Sequence, residues 1–309
     1  MRKYFTLVSC IIIPPLALVI DAPFGRFAPQ FDGADHSKSR AKNLLQTFLS
    51  HPTLFINGRV SWVLMEVFAP IFFILTYLSS PLCPNQTNPR DFSLKLTLLP
   101  LLFLAHYLNR SLISPLLLTP SRSKSHILVL LVGILFNITN GSLLGSYLSS
   151  ETTISYIIHQ KPTPMFWLGV ALWLAGFVGN IYHDEILFRI RRNAKSKGKH
   201  KEGTGEHYAI PTGGLYSFVS YPNYLCEWLE WLGFAIAAAP SPFPFDFTPS
   251  SILTTSSQRW LPSLTPPYTF LINLVCLMLP RAYRGHQWYI LRFGYKYPKE
   301  RKAVVPFIL

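Results

Sequence analysis

The sequence predicts an all-α integral membrane protein, a single bundle of seven transmembrane helices. Three observations predict it. Half of the 309 residues are hydrophobic and only 14% are charged, against about 25% charged in an average soluble domain. Seven apolar stretches reach or approach the roughly 20 residues that a helix needs to cross a bilayer. The basic residues collect in alternate loops between those stretches.

In order, the stretches are Phe5–Ile20, Ser61–Ser80, Leu94–Leu118, His126–Leu148, Pro164–Tyr182, Tyr224–Ala239 and Tyr268–Leu279. The first and the last two are short, and the last is expected to extend by a turn at each end. Arg2-Lys3 before the first stretch resembles the start of a signal peptide. Pro14-Pro15 then interrupts and no small-residue cleavage site follows, so the segment reads as an uncleaved anchor. Pro14, Pro15, Pro70, Pro100 and Pro115 fall within or near spans, where neighbouring helices can satisfy the freed carbonyls. No internal repeat is visible. Residues 193–207 read as a flexible basic loop, and residues 240–267 as an irregular Pro/Ser-rich lumenal loop.

A cytosolic C-terminus puts five Lys and Arg in the loop before the second span, three between the third and fourth, seven in the 189–201 region and seven after Leu279. All but six of the 28 then face the cytosol, as the positive-inside rule requires. The same loops account for the net charge of +14 without a nucleic-acid partner. Asn85-Gln-Thr is the one sequon in an expected lumenal loop and marks topology if glycosylated. Three others fall in or at spans. Cys10, Cys83, Cys226 and Cys276 lie far apart, a pattern that fits neither a disulfide framework nor a zinc site.

Ionisable residues inside spans are expensive and are functional candidates by default. Glu66 lies about one and a half turns into the second span, where a structural ion pair and a functional carboxylate are both reasonable readings. His106-Tyr107-Leu-Asn-Arg110 sits mid-way along the third span and points to a polar cavity or an early exit to water. Asn180, Asp184 and Arg191 share one helix face by their spacing, and Asp184 has no cation four residues on. Glu227 and Glu230, three apart, face one way in a Trp-rich apolar segment after Asn223. Gly213-Gly214 gives a tight turn that allows backbone approach to a ligand. No Gly-x-Gly-x-x-Gly or Walker motif is present, so a nucleotide would bind without a Rossmann domain.

Several of these segments together resemble the steroid 5α-reductase family. They are Ile210-Pro-Thr-Gly-Gly-Leu-Tyr, Val219-Ser-Tyr-Pro-Asn-Tyr, Glu227-Trp-Leu-Glu-Trp-Leu-Gly, Pro280-Arg-Ala-Tyr and Tyr297-Pro-Lys-Glu-Arg-Lys-Ala-Val-Val-Pro-Phe. Asp21-Ala-Pro-Phe-Gly-Arg-Phe-Ala and Arg59-Val-Ser-Trp-Val-Leu-Met-Glu resemble earlier family segments. The resemblance is dense from about 165 to 309 and patchy from 21 to 118. It implies N-terminal helices (1–160) carrying the substrate-side residues and a C-terminal domain (161–309) binding NADPH from the cytosol. It also implies a monomer in the endoplasmic reticulum membrane, among lipids, with an apolar enone inside the bundle and no metal. Glu66 and Tyr107 match the pair that hydrogen-bonds the substrate carbonyl. Asn180, Asp184, Arg191, Asn223, Glu227 and Tyr289 match cofactor-pocket positions, and Arg110 and Arg281 are carried over on looser matches. Met65 stands where the family has Gln, and Arg284-Gly-His286 replaces a His-rich run. Both departures bear on substrate fit more than on reaction type.

The implied chemistry is hydride addition to the β-carbon of an enone, with the carbonyl oxygen stabilised as it gains charge. Tyr107 can donate to that oxygen, and Glu66 can do so when protonated. A single such donor is worth about 3 kcal/mol. Three functions fit. One is a 3-oxo-Δ4-steroid reductase, the branch that Val219-Ser-Tyr-Pro-Asn223 and Glu227-Trp-Leu-Glu230-Trp231 resemble most. Another is a sibling that reduces a trans-2-enoyl-CoA or a polyprenol precursor. The enoyl-CoA branch usually carries a ubiquitin-like N-terminal domain, which this sequence does not show, and polyprenol-type members tend to have His where Asn223 stands. The third is a non-enzymatic lipid-binding or transport protein. Saturable NADPH binding separates the third from the others.

Overall fold

The computed structural model describes residues 51–82, 93–120, 122–196, 208–242 and 264–309. The first expected span, the Asp21-Ala-Pro-Phe stretch, Asn85 and most of the basic and Pro/Ser-rich loops lie outside these residues. The described chain is mostly helical. Four of its helices are long and apolar enough to cross a membrane.

Helix α1 (Gly58–Ser79) starts where Asn57 Oδ1 accepts from the backbone N–H groups of Arg59 and Val60, and ends at Ser80 in the left-handed region. Such an N-cap satisfies donors that the first turn would otherwise leave open. Helix α2 (Leu94–Leu108) continues as a π-helical segment over Asn109–Leu118. Helix α3 (Ile127–Leu148) begins at His126, whose Nδ1 accepts from the Leu128 N–H. A two-residue antiparallel ladder, β1 (Phe55–Ile56) with β2 (Ser125–His126), ties together the starts of α1 and α3. The short α4 (Glu151–Ser155) and a π-helical turn lead to α5 (Thr163–Ser196). Helix α6 (Pro222–Ala238) opens on Pro222, which fits the first turn because its missing N–H is not needed there. Helix α7 (Pro266–Phe293) ends at Gly294 with φ 53°.

The second to seventh expected spans are each found as helix, and two run on beyond their apolar stretch. Helix α5 continues fourteen residues past Tyr182, and α7 fourteen past Leu279. At 1.5 Å per residue, 34 residues make about 50 Å, well over the roughly 30 Å hydrocarbon core. Helix α5 therefore carries Asp184 and Arg191 on the same rod as its apolar half. Pro266 and Pro267, expected in a loop, are the first residues of α7.

Two helix pairs approach closely through glycine. A Cβ on Gly141 of α3 would stand 2.3 Å from the Ala69 carbonyl oxygen of α1, and one on Gly145 2.2 Å from Thr76 Oγ1. Likewise a Cβ on Gly169 or Gly176 of α5 would stand 2.6 Å from Ala237 N or 2.3 Å from Glu230 N of α6. Small residues at such contacts let membrane helices gain packing energy where no hydrophobic effect drives them together. An aromatic seam joins the pairs. Phe73 of α1 stacks on Phe103 of α2 at 4.1 Å, Phe103 meets Tyr107 at 4.7 Å, and Trp231 of α6 meets Phe270 of α7 at 4.6 Å.

The C-terminal tail docks beside the start of α6. Ser220 N–H donates to the Lys302 carbonyl and Tyr221 N–H to that of Ala303. Ser220 Oγ also bonds His286 Nδ1 and Tyr297 Oη, both at 2.6 Å. These contacts fix the chain just before Asn223.

Candidate active site

Two rungs connect α2 to α6. His106 Nδ1 lies 2.7 Å from Glu230 Oε1, and Arg110 Nη1 lies 3.5 Å from Glu227 Oε2. His106 and Arg110 are four residues apart, and Glu230 and Glu227 three apart in the opposite sense. Antiparallel helices therefore bring both pairs into register. Arg110 reaches further, placing its Nε 3.6 Å from Glu66 Oε1 on α1. Glu66, Glu227 and Glu230 are all buried. Unpaired buried charge would be costly, so Arg110 is the residue that lets two of these carboxylates share one site.

Arg110 is itself held in place. The Trp62 indole N–H donates to the Arg110 carbonyl at 3.1 Å, and the guanidiniums of Arg110 and Arg122 lie 4.7 Å and 4.0 Å from its ring centroid. The π-helical winding begins at Asn109. A wider turn there re-aims the side chains that follow, a usage common at functional sites.

Tyr107 is buried one residue from His106. Its oxygen accepts from Asn140 Nδ2 at 2.9 Å, and it faces Asn137 Oδ1 at 3.5 Å. Asn137 Nδ2 donates to the Met65 carbonyl at 2.9 Å. Glu66 lies close enough to Tyr107 to act on it electrostatically. The two residues expected at the substrate carbonyl are thus brought together.

On the α5 side, Asn180 Nδ2 donates to the Asn223 carbonyl at 2.9 Å and lies 3.4 Å from Glu227 Oε2. Asn223 Nδ2 donates to Asp184 Oδ1 at 2.9 Å. Asp184, with no cation four residues on, thus takes its hydrogen bond from an amide on α6. Arg191 is close enough to act electrostatically on Asp184. Leu215 N–H donates to His183 Nε2 at 3.1 Å, so His183 Nδ1 carries the proton and donates to the Gly179 carbonyl at 2.6 Å. A Cβ on Gly214 would stand 2.7 Å from His183 Nε2. The close approach allowed by Gly213-Gly214 is thus to His183.

Of the ten site residues expected from sequence, Glu66, Tyr107, Arg110, Asn180, Asp184, Asn223 and Glu227 form one connected cluster, with Arg191 beside it. Tyr289 packs in a separate aromatic group, stacked on Tyr297 at 5.5 Å. Arg281 directly precedes Ala282, which packs with Tyr221, Ala303 and Val304. Sequence reasoning did not single out Trp62, Arg122, Asn137 or Asn140. The two asparagines head sequons that fall within a span, a pattern that by itself points to no site.

A family model described as 3-oxo-5-alpha-steroid 4-dehydrogenase matches residues 123–261 and 258–309. An uncharacterised protein of Schizosaccharomyces pombe is 34% identical over 96% of this chain and 94% of its own length. Steroid 5-alpha-reductase DET2 of Solanum lycopersicum is 32% identical, and 3-oxo-5-alpha-steroid 4-dehydrogenase 1 of Mus musculus 33% identical, each over 82% of both chains. The family model covers α3 to α7 and the Schizosaccharomyces pombe match nearly the whole chain, so the cluster just described sits in a membrane protein that belongs to the 3-oxo-5-alpha-steroid 4-dehydrogenase family of oxidoreductases.

Proposed function

We propose that the protein reduces the C=C bond of an α,β-unsaturated ketone in a lipid with NADPH, and that the lipid is a 3-oxo-Δ4 steroid. The observation that carries this reading is Tyr107. It is a buried hydroxyl beside a buried carboxylate and two buried amides, at the edge of the aromatic seam. A ketone reaching it meets a phenol proton backed by the amides of Asn137 and Asn140. The relatives named as steroid 5-alpha-reductases support the steroid as substrate.

The residues on the α5–α6 side fit a nicotinamide dinucleotide. Asn223 Oδ1 and Arg122 Nε are buried with no hydrogen-bond partner among the described residues, one an acceptor and one a donor. Burial and the charges of Arg110 and Arg191, against the opposing pull of Asp184, push the Arg122 pKa down to about 10. Such a crowded cationic corner suits phosphate. Asn180, Asp184, Asn223 and Glu227 would hold the ribose and amide groups, and Arg110, Arg122 and Arg191 the phosphates. The bound cofactor would supply hydride to the β-carbon, and a proton from water added at the α-carbon would complete the saturated ketone.

The chain's own part is orientation and charge. Tyr107 Oη donates to the ketone oxygen as negative charge grows there, oxyanion-type stabilisation in a dry site. Glu66 borders the same oxygen and can donate to it when protonated. The seam of Phe73, Phe103, Trp231 and Phe270 excludes water. In the cell, the reading places seven spans in the endoplasmic reticulum membrane with the C-terminus in the cytosol, since the basic loops then face the nucleotide pool.

The test is reduction of a 3-oxo-Δ4 steroid by membranes carrying the chain, with NADPH. Wild type should form the saturated ketone, and Tyr107→Phe should lose about a hundredfold in kcat while NADPH affinity stays within twofold. Reduction of an enoyl-CoA but no steroid would remove the substrate assignment. Absence of saturable NADPH binding in folded protein would remove the reductase reading.

A further inference from the structure

We propose that Asn140 is a positioning residue for Tyr107. Its carboxamide donates to the phenol oxygen and leaves the phenol's single proton as the one that reaches the substrate ketone. This rests on the reductase reading above.

A tyrosine hydroxyl has one proton to give and lone pairs to accept with. Here Asn140 Nδ2 occupies the accepting side at 2.9 Å. The proton must then point elsewhere, and Asn137 Oδ1 stands 3.5 Å away. That is the long edge of a hydrogen bond, so a ketone oxygen can replace it at little cost. The orientation of Asn137 is set independently. Its Nδ2 is committed to the Met65 carbonyl at 2.9 Å, which turns its Oδ1 towards Tyr107. A hydroxyl that accepts one hydrogen bond also donates a stronger one, because hydrogen bonds in a chain polarise one another.

The backbone holds Asn140 in place. Its neighbour Gly141 leaves no room for a Cβ against the Ala69 carbonyl, so α3 lies directly on α1 at this level. Asn140 is 1% exposed and Tyr107 3% exposed. The amide therefore meets the phenol without water between them.

The experiment measures kcat and KM for a 3-oxo-Δ4 steroid, and NADPH Kd by fluorescence, in wild type, Asn140→Ala, Tyr107→Phe and the double variant. Asn140→Ala should lower kcat about tenfold, with steroid KM and NADPH Kd within twofold. In the Tyr107→Phe background it should cost nothing further, because the residue acts only through the phenol. Asn140→Leu keeps the branched shape and removes the donor, and carries the same test if the alanine variant does not fold. An equal loss in both backgrounds, or a loss confined to KM or NADPH Kd, overturns the positioning role and leaves the reductase reading intact. A wild type that binds NADPH and reduces no enone overturns the reductase reading, and this role with it.

Discussion

Helices α1 and α3 meet through Gly141 and Gly145, and helices α5 and α6 through Gly169 and Gly176. The two pairs are equally close, yet they line their contacts differently. The first pair offers the amides Asn137 and Asn140 and one carboxylate, Glu66. The second offers Asn180, His183, Asp184, Asn223, Glu227 and Glu230. Neutral amides around a phenol suit a ketone on an apolar lipid. Carboxylates and amides with cations beside them suit the hydroxyls and phosphates of a nucleotide. Glycine thus sets how near the helices come, and the polar residue one turn away sets what each pair can hold.

The largest expected effect comes from the residue that joins the two regions. Arg110→Ala leaves Glu66 and Glu227 buried without their cation, and should cost about 3–5 kcal/mol in denaturant unfolding in detergent. A loss under 1 kcal/mol would mean that the regions stand independently. Next, Gly141→Ala and Gly176→Ala each force a helix pair apart and should each cost about 1–3 kcal/mol. Their functional effects should split, Gly141→Ala lowering steroid turnover and Gly176→Ala weakening NADPH binding. Variants that hit both alike would erase the distinction between the pairs. Asn223→Ala sharpens it further. It should raise NADPH Kd about tenfold, equivalent to about 1.4 kcal/mol, and leave steroid KM within twofold.

The smallest effect is pH-dependent and belongs to α7 and the C-terminal tail, outside both pairs. Burial and the charges of Arg301 and Lys302 hold the His286 pKa below its ordinary 6.5. Below pH 6.5 the unfolded chain takes up this proton before the folded one does, so stability falls as pH drops towards the lowered pKa. His286→Gln should flatten that part of the melting-temperature profile. An unchanged slope would show that another group sets it.

The second to seventh stretches were legible as helices, four of them long and apolar enough to cross a membrane, because an apolar run of about 20 residues has few other uses. The extensions of α5 to Ser196 and α7 to Phe293 were not, because polarity ends the membrane signal without ending the helix. Glu66, Tyr107 and Glu227 announced themselves as polar residues in costly places. The match of His106 to Glu230 did not, since each helix shows only its own half of a contact spanning 124 residues. Asn137 and Asn140 are uncharged, so they raise no alarm in an apolar run and become informative only once Tyr107 stands beside them.

The two rungs between α2 and α6 also bear on biogenesis. At about 5–20 residues per second, the 124 residues between His106 and Glu230 take roughly 6–25 seconds to synthesise. Arg110 leaves the ribosome well before the carboxylate of Glu227 exists. During that interval the guanidinium's partners among the described residues are Glu66 and Trp62, both already made. These early contacts give the nascent α1–α2 hairpin a partial home for its charge, and the arrival of α6 completes it.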